Sequence, residues 1–302
     1  MNLALWIQQA SQSLQASGLN LEDSQRDLSF LIEDLADISR TSQQWAEEHV
    51  LSQSQLLVLN DALTQRVARK PVSHILGYWE FWGLPFIVNQ DVLTPRPDTE
   101  VLVEEALQWL HNISKPFSTH SPPIRVIDVG CGSGCIGLSL AHEWPALHLT
   151  LIDLSMSALQ VAQDNDQSLR QKNMIQSDVD YLQSDLLSEY LSSDAPQVDL
   201  IVSNPPYIRS CDMKTLMPEV REYEPHLALE GRDQDGLGHV RLLTQQAMQV
   251  LRVDGALMIE VGWDQTQDCM HILQEYGFQS CRVRKDYAGH PRVVIGHKVM
   301  DE

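Results

Sequence analysis

From residue 124 onward the chain alternates short β-branched, apolar runs with helix-forming ones. IRVIDVG is followed by GLSLAHEW, LHLTLID by SALQVAQDND, and then come VDYLQS, VDLIVS, a helical stretch from about 236 to 251, and GALMIEVG. Strands that alternate with helices form a mainly parallel sheet covered on both faces, and such a sheet gathers its loops at the carboxyl ends of the strands. Ligands bind there, where the strand order reverses. VRKDYAGHPRVVIGHK closes the pattern as two strands joined by a glycine-containing turn. The second domain is therefore predicted as α/β over residues 98–302. SKPFSTHSPP, residues 114–123, is predicted as a surface loop inside it.

The first 70 residues have a different texture, with no proline and Gly18 as their one glycine. Leu28, Leu31, Leu35 and Ile38 form one helical stripe, and Leu56, Leu59, Leu63 and Val67 form another. A small helical bundle over residues 1–70 follows, with Asp23, Ser24, Ser52 and Ser54 as cap residues. Residues 71–97 are predicted as a hairpin connector, because the aromatic and β-branched residues of YWEFWGLPFIV alternate around Gly83 and Pro85. TPRPDTE then opens a helix at Pro97, Asp98 and Thr99. Arg96 and Glu100 stand near the expected ligand mouth, with ordinary helix-start and surface roles as the alternative.

A net charge of −20, from 41 acidic and 21 basic residues, disfavours a broad phosphate-binding surface. Direct nucleic-acid binding is not expected. Nor is a membrane span, since no run of about 18 apolar residues occurs. The N-terminus lacks a signal-peptide pattern, so a cytoplasmic protein is expected, and it is expected to be a monomer. Five scattered cysteines suit reduced thiols, and Cys131 and Cys135 lack the further ligands of a metal site, so no metal is expected.

Two motifs carry chemistry. VIDVGCGSGCIG follows a strand and opens a helix, and Gly130, Gly132 and Gly134 let its backbone turn tightly against a ligand. A dinucleotide fingerprint wants glycine or alanine where Cys135 stands, so the spacing favours the loop of S-adenosylmethionine-dependent methyltransferases, with a nicotinamide cofactor as the alternative. Asp128, Cys131 and Ser133 share this loop. Asp153 ends the next strand, where a carboxylate can accept two ribose hydroxyls in either cofactor class. Asp185 follows the next strand, where methyltransferases commonly place an acceptor for the adenine amino group, and its neighbour Leu186 would line the adenine face, with ordinary loop roles as the alternative.

The second motif is Asn204-Pro205-Pro206-Tyr207, at the end of VDLIVS. The prolines have no N–H and fixed φ, so they end the strand and hold the carbonyl of Pro205 in place. The Asn204 side-chain oxygen and that carbonyl can each accept one N–H of a planar NH₂ group, which aims the nitrogen lone pair at a methyl donor. Tyr207 supplies a flat wall.

Together, VSHILGYWEFWGLPFIVNQDVLTPRPDTEVLVEEAL, VIDVGCGSGCIGLSLA and LIVSNPPYI resemble the bacterial peptide chain release factor N5-glutamine methyltransferases. The resemblance covers nearly the whole chain and is strongest from about 70 to 210. It implies a class I methyltransferase, Rossmann-like with a seven-stranded sheet, a helical N-terminal domain that helps grip the protein substrate, and a hairpin connector. It also implies methyl transfer to the glutamine of the Gly-Gly-Gln motif of class 1 release factors, leaving S-adenosylhomocysteine. By position, Gly130 to Gly134, Asp153, Leu186 and Asn204 would touch the cofactor, and Asn204 to Tyr207 the glutamine. Many relatives carry an aromatic ring where Leu186 stands. TPRPDTE separates the chain from the sister enzymes acting on a ribosomal protein, and the acidic charge separates it from adenine methyltransferases of DNA or RNA. An inert cofactor-binding protein would have no use for Asn204.

Overall fold

The computed structural model describes residues 1–113 and 123–300. All of the loop expected at 114–123 except its last residue lies outside the described residues. Two compact units form: Met1–Tyr78 with Met217–Tyr223, and Trp79–Leu216 with Glu224–Glu302.

The first unit is helical, with α1 (Leu3–Ala16), α2 (Leu21–Ala36) and α3 (Gln53–Val67). Its core is Leu3, Trp6, Ala10, Leu14, Leu28, Ile32, Ala36, Ile38, Leu51 and Leu59. Ser52 caps α3 as expected, in a reciprocal box with Gln55. Asn20, not Asp23 or Ser24, caps α2. It directly precedes Leu21, so its side chain reaches the Asp23 N–H at 2.8 Å, while the Ser24 hydroxyl donates to the Asn20 carbonyl.

The α3 stripe also departs from expectation. Val67 is 37% exposed and Arg66 is 5% exposed. Arg66 can be buried because its guanidinium is shared: Nε donates to Asp27 at 2.8 Å and Nη2 to Glu219 at 2.8 Å. Arg69 completes the cluster, donating to the other oxygen of Glu219 at 2.7 Å. Burial pushes the Glu219 carboxyl up, but the two arginines outweigh it and hold the group below its ordinary value. Glu219 lies on the short helix Pro218–Tyr223, so these ion pairs tie that late segment into the helical unit.

The second unit is built on strands. β1 (Tyr78–Phe81) and β2 (Leu84–Ile87) form the expected hairpin about Gly83. The main sheet comprises β3 (Ile124–Val129), β4 (Leu147–Asp153), β5 (Asp178–Gln183), β6 (Val198–Ser203), β7 (Leu251–Glu260), β8 (Gln279–Lys285) and β9 (Pro291–His297). Its seven strands run in the order β5-β4-β3-β6-β7-β9-β8, parallel except for β9. The chain builds outward from β3 to β5, then returns to place β6 on the other side of β3, so the order reverses between β3 and β6.

Alternation along each strand sorts side chains to two cores. Val126, Leu149, Leu151, Leu200 and Met258 face one side, with α4 (Glu100–Ile113), α5 (Cys135–Glu143) and α6 (Met156–Gln171). Ile127, Val129, Ile201, Leu257 and Ile259 face the other, with α7 (Gly238–Val250) and α8 (Thr266–Glu275). Phe81, Leu84 and Phe86 of the hairpin join the first core.

Arg66→Ala leaves Asp27 and Glu219 without their shared partner, which costs about 3–5 kcal/mol when a buried pair is broken from one side. The expected result is loss of amide hydrogen-exchange protection in α1–α3 by that amount. A loss below about 1 kcal/mol would class the cluster with solvated surface pairs.

Candidate functional site

Four loops leave the carboxyl ends of β3, β4, β5 and β6, and all four line one cleft of about 1030 Å³ that is partly open to solvent. Of the sequence candidates, Gly130, Cys131, Gly132, Ser133, Asp153, Asp185, Leu186, Asn204 and Pro206 lie on its wall. Asp128, Gly134, Pro205 and Tyr207 do not. Asp128 is fully buried behind the glycine loop. A Cβ on Gly134 would stand 3.0 Å from Leu138 and 3.3 Å from Leu151, so this glycine serves close packing of α5 on the sheet. Tyr207 lines a neighbouring hollow with Arg209, Trp263 and Arg292.

The glycine loop is held from below. Gly130 and Cys131 both donate their N–H to the carbonyl of Ile152, at 2.8 and 2.9 Å. The Asp128 carboxylate accepts from the Gly137 N–H at 2.9 Å, fixing the first turn of α5. Burial, opposed by that one N–H, pushes Asp128 up to about 7. Gly130 and Gly132 have φ of +70° and +54°, and nothing lies within 4 Å of the place a Cβ would take. Both therefore present bare backbone to open cleft.

Asp153 links two loops. Its Oδ2 accepts from the Gly132 N–H and its Oδ1 from the Ser155 N–H, each at 2.9 Å. Burial raises its pKa and these N–H groups oppose the rise. Each oxygen keeps a lone pair. Asp185 is engaged as well, since Arg232 Nη2 donates to both of its oxygens at 2.8 Å. Leu186 holds φ +54°, a left-handed conformation unfavourable for a branched side chain. The next N–H, of Leu187, donates to Gln246 at 2.9 Å and braces the turn.

Behind the Asn-Pro-Pro-Tyr segment, Ser203 Oγ donates to the Val129 carbonyl at 2.7 Å. Asn204 Nδ2 donates to Thr99 Oγ1 at 3.2 Å. Gln265 Nε2 donates to the carbonyls of Tyr207 and Asp235, at 3.0 and 2.9 Å. Gly236 approaches the same turn so closely that a Cβ would meet the Tyr207 carbonyl at 2.3 Å. Burial, with the nearby Glu260 charge, pushes the Tyr207 hydroxyl up to about 12, so it stays neutral.

Of the two residues expected near the ligand mouth, one lies on the cleft wall. Arg96 lines the cleft and donates to Glu224 at 2.6 and 2.7 Å. Glu100 instead accepts the Trp82 N–H at 3.0 Å. The sequence pattern marks Thr99 only as a helix start and leaves His239 and Glu260 unmarked, although Glu260 carries a signal as the one charge closing the apolar run ALMIE. Aliphatic wall from Val92, Leu93, Ile136, Leu154 and Ala158, with carboxylates at Asp153 and Asp185, suits a long ligand with an apolar flat end and hydroxyl or amine groups.

The Methyltransferase small domain family matches residues 110–231, and the PrmC N-terminal domain family matches residues 6–77. The release factor glutamine methyltransferase of Caulobacter vibrioides is 39% identical over 272 residues, covering 90% of this chain and 89% of that protein. The protein of the same name from Fusobacterium nucleatum is 34% identical over 275 residues, 91% of this chain and 73% of that one. Among solved structures, the hMettl16 catalytic domain in complex with the MAT2A 3′UTR hairpin 6 aligns with a TM-score of 0.54 at 14% identity. That alignment covers 80% of this chain and 83% of that one, and is a likeness of fold alone. Over nearly its whole length, then, the chain belongs to the release factor glutamine methyltransferase family.

Proposed function

We propose that the protein transfers a methyl group from S-adenosylmethionine to the side-chain amide of the glutamine in the Gly-Gly-Gln motif of class 1 release factors. The observation that carries this reading is the place of Asn204-Pro205-Pro206-Tyr207: it leaves β6 beside the glycine loop, with the Asn204 NH₂ committed to Thr99. The Oδ1 of Asn204 is thereby left to accept from the substrate.

The cleft suits the cofactor on two grounds. Open space stands at Gly130 and Gly132 where any other residue would place a Cβ, and Asp153 keeps a lone pair on each oxygen for the ribose hydroxyls. Asp185, neutralised in part by Arg232, would accept from the adenine amino group, and Leu186 would form an aliphatic wall beside the ring. When bound, S-adenosylmethionine supplies an electrophilic methyl carbon on a sulfonium. The residues of the chain do the rest by positioning. Asn204 Oδ1 and the Pro205 carbonyl each accept one amide N–H, which holds the glutamine nitrogen and turns its lone pair toward the methyl. Tyr207, held neutral by burial, lines the hollow beside the cleft, and its ring would flank the planar acceptor from that side. Exchange of N–H for N–CH₃ releases a proton. Neither a neutral amide oxygen nor a peptide carbonyl takes it up readily, so it leaves to water.

The substrate amide is small, and a specific protein complex buries on the order of a thousand square ångströms or more. The helical unit is the natural source of further contact, and its Trp45, 61% exposed, offers the kind of side chain that anchors interfaces. Among the described residues no helix is long and apolar enough to cross a membrane. Action as a cytoplasmic monomer on free release factor fits this reading. Incubation with labelled S-adenosylmethionine and three acceptors, namely release factor, ribosomal protein and DNA, tests it directly: label should enter the release factor alone.

Asn204→Ala should lower turnover by about a hundredfold or more, the usual effect of losing a transition-state hydrogen bond. Calorimetric affinity for S-adenosylhomocysteine should change far less. Near-normal turnover would remove the role given to Asn204. Asp153→Ala should do the reverse, weakening S-adenosylhomocysteine about tenfold to a hundredfold for the loss of charged hydrogen bonds, with a smaller change in the saturated rate. An unchanged affinity would end the ribose assignment. Trp45→Ala should raise KM for intact release factor about tenfold while leaving a short Gly-Gly-Gln peptide unaffected, and equal losses on both would place its effect within the active domain.

A further inference from the structure

Glu260 ends β7, the strand beside β6, and Ser203 pairs in register with Ile259. Its neighbour in the chain thus lies opposite the residue that precedes Asn204. The side chain is 2% exposed, and Oε2 has no hydrogen-bond partner among the described residues. The hydrogen-bonding side chains that face it are Thr99 and Asn204. Asn204 Nδ2 also donates to Thr99 Oγ1 at 3.2 Å. A threonine hydroxyl has one proton to give and lone pairs to receive. With Thr99 accepting from Asn204, its one hydroxyl proton is free to turn toward the Glu260 carboxyl, which gives a path directed from Asn204 through Thr99 to Glu260.

Direction matters because the two ends of an asparagine amide are nearly the same shape and opposite in function. An ionised carboxylate only accepts, so it draws the NH₂ of Asn204 inward and leaves Oδ1 outward. We propose that Glu260 is the positioning residue that holds Asn204 in its accepting orientation, acting directly and through Thr99. This rests on the reading of Asn204 as the group that receives the substrate amide. Protonated, Glu260 can donate, the path can reverse, and an inverted Asn204 would set its NH₂ against the N–H of the substrate.

The charged and titratable groups around Glu260 come from several elements. Arg292 on β9 favours the ionised form and Asp98, ahead of α4, opposes it. Tyr207 and Cys135 also sense it, and both are held neutral by burial. Burial outweighs the help of Thr99, Arg292 and Asn204 and pushes Glu260 up to about 7. The switch between orientations thus falls near neutral pH.

A carboxyl whose folded value lies above its unfolded value of 4.5 stabilises the fold at low pH and loses that contribution as pH rises through about 7. Glu260→Gln should therefore melt no lower than the parent above pH 7. Its kcat, measured with S-adenosylmethionine and intact release factor, should nonetheless fall about tenfold to a hundredfold. The parent should lose activity toward acid with a midpoint near 7, and Glu260→Gln should lack that limb. S-adenosylhomocysteine affinity should stay within about twofold, since the residue touches no cofactor. Thr99→Val, which removes a donor that favours the ionised form, should move the limb to higher pH. A parent-like kcat and limb in Glu260→Gln, or a limb that does not move in Thr99→Val, overturns the proposal. So does a parallel loss of Tm and cofactor affinity, which marks a structural role. The side-chain amide resonances of Asn204 give a readout independent of any substrate: they should titrate near 7 in the parent and not in Glu260→Gln. Titration in a parent that does not methylate release factor would sink the substrate assignment while supporting the positioning role.

Discussion

The in-register pairing of β3 with β6 is the constraint on which the site depends. Val129 lies opposite Ser203, and the Ser203 hydroxyl donates to the Val129 carbonyl at 2.7 Å. One residue further along each strand stand Gly130 and Asn204, the first residues of the two loops that carry chemistry. A slip of one position would flip every side chain of β6 to the other face. Ile201 would leave the core it shares with α7, and Asn204 would leave the cleft. The register that buries the apolar residues is thus the one that sets the Asn-Pro-Pro-Tyr turn beside the glycine loop.

The cleft is also lined or backed by carboxyls that burial disfavours in their charged form. Asp128, Asp153 and Glu260 are all pushed upward, and each is tied to a different turn. Asp128 receives an N–H from α5, Asp153 receives one from the glycine loop and one from Ser155, and Glu260 faces Thr99 and Asn204. A buried carboxyl with incomplete partners lowers stability. Its use here is to fix backbone or side-chain orientation where loops have no regular hydrogen-bond ladder.

What the sequence made legible was local. The glycine loop and the Asn-Pro-Pro-Tyr turn are contiguous, and their φ and hydrogen-bond requirements are written in residue type. The seven strands and helices α4 to α7 followed from periodicity, whereas α8 (Thr266–Glu275) did not. Partners far along the chain did not. Thr99 meets Asn204 across 105 positions, Gln265 meets the Tyr207 carbonyl across 58, and Arg232 meets Asp185 across 47. Arg66 shows the same limit in the helical unit, where an apolar stripe pointed to Val67 and a carboxylate 153 positions away made the arginine the buried residue. Periodicity reports which face is covered, and it does not report a charge that finds its partner in another part of the fold.

Leu186 brings these threads together. Its left-handed φ of +54° carries a steric cost of order 1–3 kcal/mol for a non-glycine residue. Gln246 meets part of that need by accepting from the Leu187 N–H at 2.9 Å and donating to Ser188 at 2.9 Å. A glycine would remove the strain but also the side chain, and with it an aliphatic part of the cleft wall. The strained turn keeps a hydrophobic surface directly beside Asp185, whose charge Arg232 holds in place. An apolar wall next to a fixed acceptor suits a flat heterocycle with an amino edge, which is the role proposed for Leu186 and Asp185, and backbone strain is what sets the two side by side.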